Sequence, residues 1–255
     1  MKLFDGLIIE IRELIEHADR DGQTRMFPEG DVTSWASAGK RNIVLKPDMG
    51  VELGNPSDES ASFLVWTNNL DLVRDGAIWL DGPDIWECEN RHMPFGKIVL
   101  IGGRGFDEEN CSERYREMEL LRYDLSLEGY MIRAVSQYMR EWSRVSKKAV
   151  AARFSFSILG GALIKLYKSV EYIDAVEVFF VSSSSEAVRR IRGFGERAMR
   201  TIGAMRKLSE PHLLDCDSCE YRDVCDDVSE LRAMRKSMKK TGENSPRINT
   251  DLHGK

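Results

Sequence analysis

The chain has 255 residues, 42% hydrophobic and 31% charged, the make-up of a globular protein of one or two domains with a real core. No apolar run approaches the ~20 residues of a membrane-crossing helix, which excludes an integral helical membrane protein. The net charge of −5 is uneven: Val228–Lys255 holds seven Lys/Arg against three Asp/Glu, leaving about −9 on the body before it. So acidic a body is a poor general binder of nucleic acid, because neutralising phosphates requires an excess of cations.

The first residues place Asp5 and Gly6 where a signal peptide would begin its apolar stretch, so a cytoplasmic location is expected. Leu3, Phe4, Leu7, Ile8, Ile11, Leu14, Ile15 and Ala18 recur at helical spacing, which predicts an amphipathic helix over 2–18. Asp19–Gly39, rich in Asp, Gly, Ser and Thr and interrupted by Pro28, is expected to be a connecting loop or flexible arm.

Between Arg41 and Gly103, short apolar runs at 42–45, 51–53, 62–67, 77–80 and 97–101 are separated by turn residues and predict strands. Helices are expected over 108–123 and much of 127–138, a strand over 141–145 and a helix over 157–169. Ala175–Val181 is the clearest strand. Ser183 and Glu186 have capping-box spacing, so a helix should start there, with Val188, Ile191, Ala198, Ile202 and Met205 on one face and Arg189, Arg192, Arg200 and Lys207 on the other. Pro211 ends it. The alternation predicts an α/β fold, with α+β possible as the variant: a mixed sheet with flanking helices over roughly 41–210. Residues 1–40 form an N-terminal helix and loop, 211–228 a cysteine-rich loop, and 229–255 a basic helix followed by a disordered tail.

Five cysteines, an odd number, argue against a closed disulfide framework. Cys216, Cys219 and Cys225 fall within ten residues. Two thiolates separated by two residues, with a third from the next turn, can converge on one zinc or iron–sulfur centre. Either metal suits soft sulfur ligands. A fourth ligand must come from elsewhere, with Cys88 the first candidate, Cys111 the second and His212 a nitrogen alternative; the bland alternative is three reduced surface thiols. Gly102-Gly103-Arg104-Gly105 lacks the Lys-Ser/Thr of a P-loop and reads as a strand-ending turn. The arginines of the 185–207 helix present a solvated cationic face, or a surface for an anion or an acidic protein partner. The acidic run Glu108–Glu119 is solvated helix. Trp66, Trp79, Trp86 and Trp142 belong in or near the core, with Trp86 placed to shield a cluster at Cys88. No local hydrolase signature appears.

Val51-Glu52-Leu53-Gly54, Ser62–Trp66, Leu80-Asp81-Gly82-Pro83-Asp84-Ile85 and Met93-Pro94-Phe95-Gly96-Lys97-Ile98-Val99 together resemble the middle region of acetyl-CoA synthase, the β subunit of the CO dehydrogenase/acetyl-CoA synthase complex. The order continues through Trp142-Ser143-Arg144-Val145, Phe154–Ser169 and Val176–Val181 to Leu213-Leu214-Asp215-Cys216, covering about two thirds of the chain. In that family the next region holds a [4Fe-4S] cubane bridged to two nickel atoms. Cys216 and Cys219 match its first two cubane cysteines. Cys225 comes sooner than the third, and the Cys-Gly-Cys pair that binds the distal nickel has no counterpart in this sequence.

The resemblance implies an iron–sulfur protein acting in electron transfer, cluster handling or assembly with a larger anaerobic metalloenzyme or with CO dehydrogenase/acetyl-CoA synthase-type subunits, and not making acetyl-CoA alone. A structural zinc or metal-free interaction module is the alternative. A third expectation is a CoA-binding part of a multi-subunit acyltransferase, with Arg144 or the Arg189, Arg192, Arg200 face receiving CoA phosphates.

Overall fold

The structure is a computed structural model that describes residues 1–20, 22, 24–27, 35–39, 42–136, 139–209, 216 and 218–243. It divides into two units, Met1–Met199 and Arg200–Lys255. The first unit is built on two sheets with helices, the α/β class expected. One sheet has the order β1-β4-β9-β6-β3, from β1 (Thr24–Phe27), β3 (Ser60–Thr67), β4 (Ile78–Asp81), β6 (Phe95–Gly102) and β9 (Ala175–Val181). The other has the order β5-β2-β8-β7, from β2 (Met49–Leu53), β5 (His92–Met93), β7 (Tyr130–Ser136) and β8 (Arg140–Ser146).

β3, β6 and β9 are buried along their whole lengths, which is why apolar residues predominate on both of their faces and do not alternate with polar ones. Within the first sheet β4 runs parallel to β9 and β3 parallel to β6, while β9 and β6 are antiparallel. The helices of this unit are α1 (Asp5–Arg20), α2 (Cys111–Leu121), α3 (Lys147–Ala151), α4 (Phe156–Tyr167) and the start of α5 (Ser185–Ser209). α1 buries Leu7, Ile8, Ile11 and Ile15. Asp5 in its first turn accepts from Thr67 Oγ1 at 2.6 Å, a carboxylate where the helix dipole favours one. Arg12 on the same helix reaches Glu177 of β9 at 2.5 Å. Glu177 is fully buried and also accepts from Trp79 Nε1 at 2.7 Å and Arg74 N at 2.8 Å, so a charged residue is tolerated in mid-sheet because its acceptors are filled.

Four expectations need correction. The 127–138 segment is not helical: Tyr130–Ser136 is β7, paired antiparallel with β8. Leu127, Tyr130, Met131 and Ala134 have helical spacing, but Gly129, at φ +80, turns the chain beside Ser146 and the ladder with β8 overrides the local pattern. Residues 42–45 form no strand; Asn42 Nδ2 is engaged by Leu127 O and Tyr130 O in irregular chain. The expected arm contains β1, paired with β4, invisible beforehand because four residues cannot display a period. The cap of α5 falls one residue later than predicted: Ser184 Oγ accepts from Ala187 N at 3.1 Å, while Ser183 Oγ donates to Asp81 Oδ2 at 3.0 Å. Residues 244–255, expected to be a disordered tail, lie outside the described residues.

The two sheets are joined by buried polar contacts. Lys97 Nζ of β6 lies 2.6 Å from Glu141 Oε2 of β8, both side chains sealed from solvent. Ser62 Oγ of β3 donates to the same oxygen at 2.9 Å, and Tyr130 OH to Oε1 at 3.3 Å. Ser60 Oγ donates to Glu141 O at 2.6 Å and accepts from Glu141 N at 2.7 Å. Arg122, buried after α2, pairs with Glu119 and adds positive charge nearby. Burial opposes ionisation of Glu141, but Lys97, Arg122 and the hydrogen bonds outweigh it and hold its carboxyl below the usual range.

Replacing one member of the pair strands the other charge. Glu141→Gln should lower unfolding free energy by roughly 3–5 kcal/mol in urea melts, with the apolar double change at Lys97 and Glu141 costing much less. Because Glu141 titrates lower when folded, its contribution is complete above the unfolded value of about 4.3 and is lost as pH falls through the folded one. Acid titration of stability should therefore be shallower in Glu141→Gln than in the native chain.

Candidate functional site

The second unit contains the end of α5, the cysteine loop, α6 (Arg222–Asp227) and α7 (Ser229–Glu243). Arg222 N bonds to Cys219 O at 3.1 Å, closing a turn, and Cys225 N bonds to Tyr221 O at 2.9 Å. That turn brings the third cysteine back towards the first two. Cys216, Cys219 and Cys225 line one small cavity of about 10 Å³, together with Ala204, Tyr221 and Arg235. A Cβ on Gly203 would meet the Tyr221 ring at 2.8 Å, so a glycine in α5 is what lets the ring lie close beside the loop. Cys225 is buried, while Cys216 and Cys219 are partly exposed. Burial raises the Cys225 thiol above its ordinary pKa, Arg235 opposes this, and the other two cysteines add to it. Asp226 and Asp223 are held by Arg235 and Arg200, the latter at 2.7 Å.

Three thiols beside a guanidinium are donors of the right chemistry for a thiophilic metal. Among the described residues, however, no three His, Cys, Asp or Glu side chains form a group arranged to hold a metal ion. The thiols share a pocket without closing a coordination sphere. Cys88 belongs to the first unit, in the turn before β5, where its thiol contacts Asn90 O and, at 3.7 Å, His92 O. Cys111 starts α2, fully buried, with burial pushing its thiol up to about 11. His212 lies outside the described residues.

The arginines named from sequence have carboxylate partners. Arg144 Nε lies 2.6 Å from Glu52 and is largely buried. Glu59 receives Arg192 at 2.7 Å and Arg189 at 3.4 Å, and Arg200 takes Asp223. Trp66 and Trp79 are buried, whereas Trp86 is 37% exposed and carries the Arg153 guanidinium 4.2 Å from its ring.

A second constellation had no sequence signal as a site. The turn after β4 (Asp81-Gly82-Pro83-Asp84) and the turn after β9 (Ser182–Ser184) are fastened together. Ser182 N and Ser183 N bond to Asp81 O at 2.8 and 3.1 Å, and Ser182 Oγ donates to Pro83 O at 2.6 Å. Gly82 has φ +112, and a Cβ there would lie 2.3 Å from Ser183 N; only glycine permits this approach. Asp84 caps the following 3-10 turn and accepts from Phe156 N at 2.8 Å, anchoring the start of α4. The only clue beforehand was the Gly-Pro-Asp-Ile step, which shows a turn but not its partner some hundred residues on.

Residues 33–187 match the family of the CO dehydrogenase/acetyl-CoA synthase complex beta subunit. The acetyl-CoA decarbonylase/synthase complex subunit beta 2 of Methanosarcina thermophila is 30% identical over 152 residues, 58% of this chain and 31% of the relative. Its counterpart in Methanosarcina acetivorans is 31% identical with the same coverage. The carbon monoxide dehydrogenase/acetyl-CoA synthase subunit alpha of Moorella thermoacetica is 30% identical over 181 residues, 69% of this chain and 24% of that protein. The chain thus spans about a third or less of the length of these curated relatives. The family match ends at residue 187, short of the cysteine loop.

Thiol chemistry should separate the cysteines. In chelator-treated native protein at about pH 8, iodoacetamide should modify Cys216 and Cys219 well before Cys225 and Cys111, since alkylation requires exposed thiolate. Peptide mass spectrometry in urea should show the difference abolished.

Proposed function

The chain belongs to the CO dehydrogenase/acetyl-CoA synthase complex beta subunit family, and on that premise we propose that it serves a complex of that type as a thiolate-bound metal protein. Cys216, Cys219 and Cys225 hold an iron–sulfur cluster, and the chain acts in electron transfer, cluster handling or assembly with a larger metalloenzyme. The observation that carries this is the convergence of the three thiols on one pocket. The relatives are named as subunits of such complexes, which supports a partner of the same kind.

When bound, a cubane supplies one-electron redox chemistry. The chain's own part is to present three thiolates, with the Arg235 guanidinium opposing the rise that burial imposes on the Cys225 thiol. The fourth donor comes from outside the three cysteines: His212 or a group from the partner. Nickel chemistry and acetyl-CoA synthesis are not part of the proposal.

Metal and sulfide analysis of protein purified without oxygen tests it. The expected result is about four iron and four sulfide per chain, with a broad ~400 nm band. Both should fall away in Cys219→Ser. One colourless zinc per chain would make the loop a structural site of an interaction module, and a metal-free chain would overturn the proposal.

A further inference from the structure

We propose that the first unit docks an extended, acidic segment of a partner protein along residues 42–46, where the chain has the form of a strand without a neighbour. The backbone there is extended, with Leu45 at φ −73 and ψ 159. The side chains alternate as those of a strand do: Val44 is 2% exposed, while Ile43 and Leu45 are 65% and 57% exposed. Ile43 is the most exposed large apolar side chain among the described residues. The N–H and C=O groups of Ile43 and Val44, and the N–H of Leu45, make no hydrogen bond among those residues.

Both ends of the segment are anchored. Asn42 Nδ2 donates to Leu127 O and Tyr130 O, and its Oδ1 accepts from Gly129 N at 3.1 Å. Leu45 O accepts from Asp48 N at 3.0 Å in the 3-10 turn that leads into β2. Between these ties, buried Val44 fixes which side faces out. Two branched apolar side chains are thus held in water beside main-chain groups open to pairing. Strand addition uses that combination, with main-chain bonds for affinity and alternate side chains for specificity.

The surrounding charge selects the partner. Lys46 is exposed and pairs with no carboxylate among the described residues. The Lys147 ammonium reaches the neighbouring Pro47 O at 2.8 Å, an uncharged acceptor. Lys148 is matched by Glu128 at 2.9 Å, which leaves exposed Asp48 as the local acid opposing the other two lysines. In the sequence, Lys40 and Arg41 lead into the segment, so Lys40–Asp48 carries three cations against one acid in a chain of net charge −5. The α5 arginines expected to meet an acidic partner are instead matched within the chain by Glu59 and Asp223. A nucleic-acid strand would meet the cations, but its phosphates offer Ile43 and Leu45 nothing. An acidic segment with apolar residues at alternate positions meets both demands. Docking here rests on the proposed role in a complex and requires no metal.

NMR titration of the full, chelator-treated chain tests this, with the peptides Glu-Val-Glu-Ile-Glu-Val-Glu and Lys-Val-Lys-Ile-Lys-Val-Lys and with oligouridylate as probes. The acidic peptide should bind with Kd below about 1 mM, shift the amides of residues 43–45 most and slow their exchange with solvent. Ile43→Ser combined with Leu45→Ser, both exposed changes, should weaken it about tenfold. Lys46→Ala combined with Lys147→Ala should weaken it by a similar factor. Absence of millimolar binding by the acidic peptide, equal binding by the basic one, tighter binding by oligouridylate, or full affinity in the serine variant would overturn the proposal. Because the chain is metal-free in this assay, failure here is distinct from failure of the iron–sulfur proposal.

Discussion

The ammonium of Lys97 and the carboxylate of Glu141 meet at 2.6 Å with no access to water, and the arrangement of the first unit depends on that contact. Each charge alone would cost several kcal/mol to bury; together, with Ser62 and Tyr130 filling the other lone pairs, they are tolerated. The pair admits one relation between the sheets. A slip of β8 by one residue would turn Glu141 to the opposite face and leave Lys97 charged in an apolar layer. The backbone exchange between Ser60 and Glu141 fixes the same register, so hydrogen bonds and charges specify one alignment.

From that alignment the strand ends of the other sheet follow. β6 pairs with β9 along seven residues, and β9 with β4 along four, so β4 and β9 finish side by side. Their turns close on each other through Asp81 and Gly82, and α5 departs from that junction. The polar groups gathered there are held by backbone bonds on rigid strands. The cysteine pocket of the second unit is built differently: short helices, a turn closed by one backbone bond, and thiols partly open to solvent. Such a loop suits a metal that completes its own site on binding.

Legibility in the sequence followed the range of the signal. Ala175–Val181 was plain because a fully buried strand needs no partner to be recognised, and α1 because its stripe repeats for four turns. Tyr130–Ser136 was misread because Leu127, Tyr130, Met131 and Ala134 mimic a helical face, and only β8 decides against it. The cysteine trio was visible because its residues are neighbours in the chain. Asp81 was not, because its role depends on Ser183, and nothing local connects the two. Arg144 and Arg192 appeared as free cations for the same reason: Glu52 and Glu59 are distant in sequence and adjacent in space. Membership of the family was legible from the strand and turn segments, while the loop that carries the proposed metal lies beyond the matched span.

The central claim is that three thiolates of the second unit ligate one metal centre. X-ray absorption at the iron or zinc edge tests it most directly, on anaerobically prepared native chain and on Cys225→Ala. The account predicts a first shell of sulfur at about 2.3 Å, the ordinary metal–thiolate distance, losing sulfur when Cys225 is removed. A shell of oxygen and nitrogen, or a sulfur shell unchanged by that substitution, would contradict it.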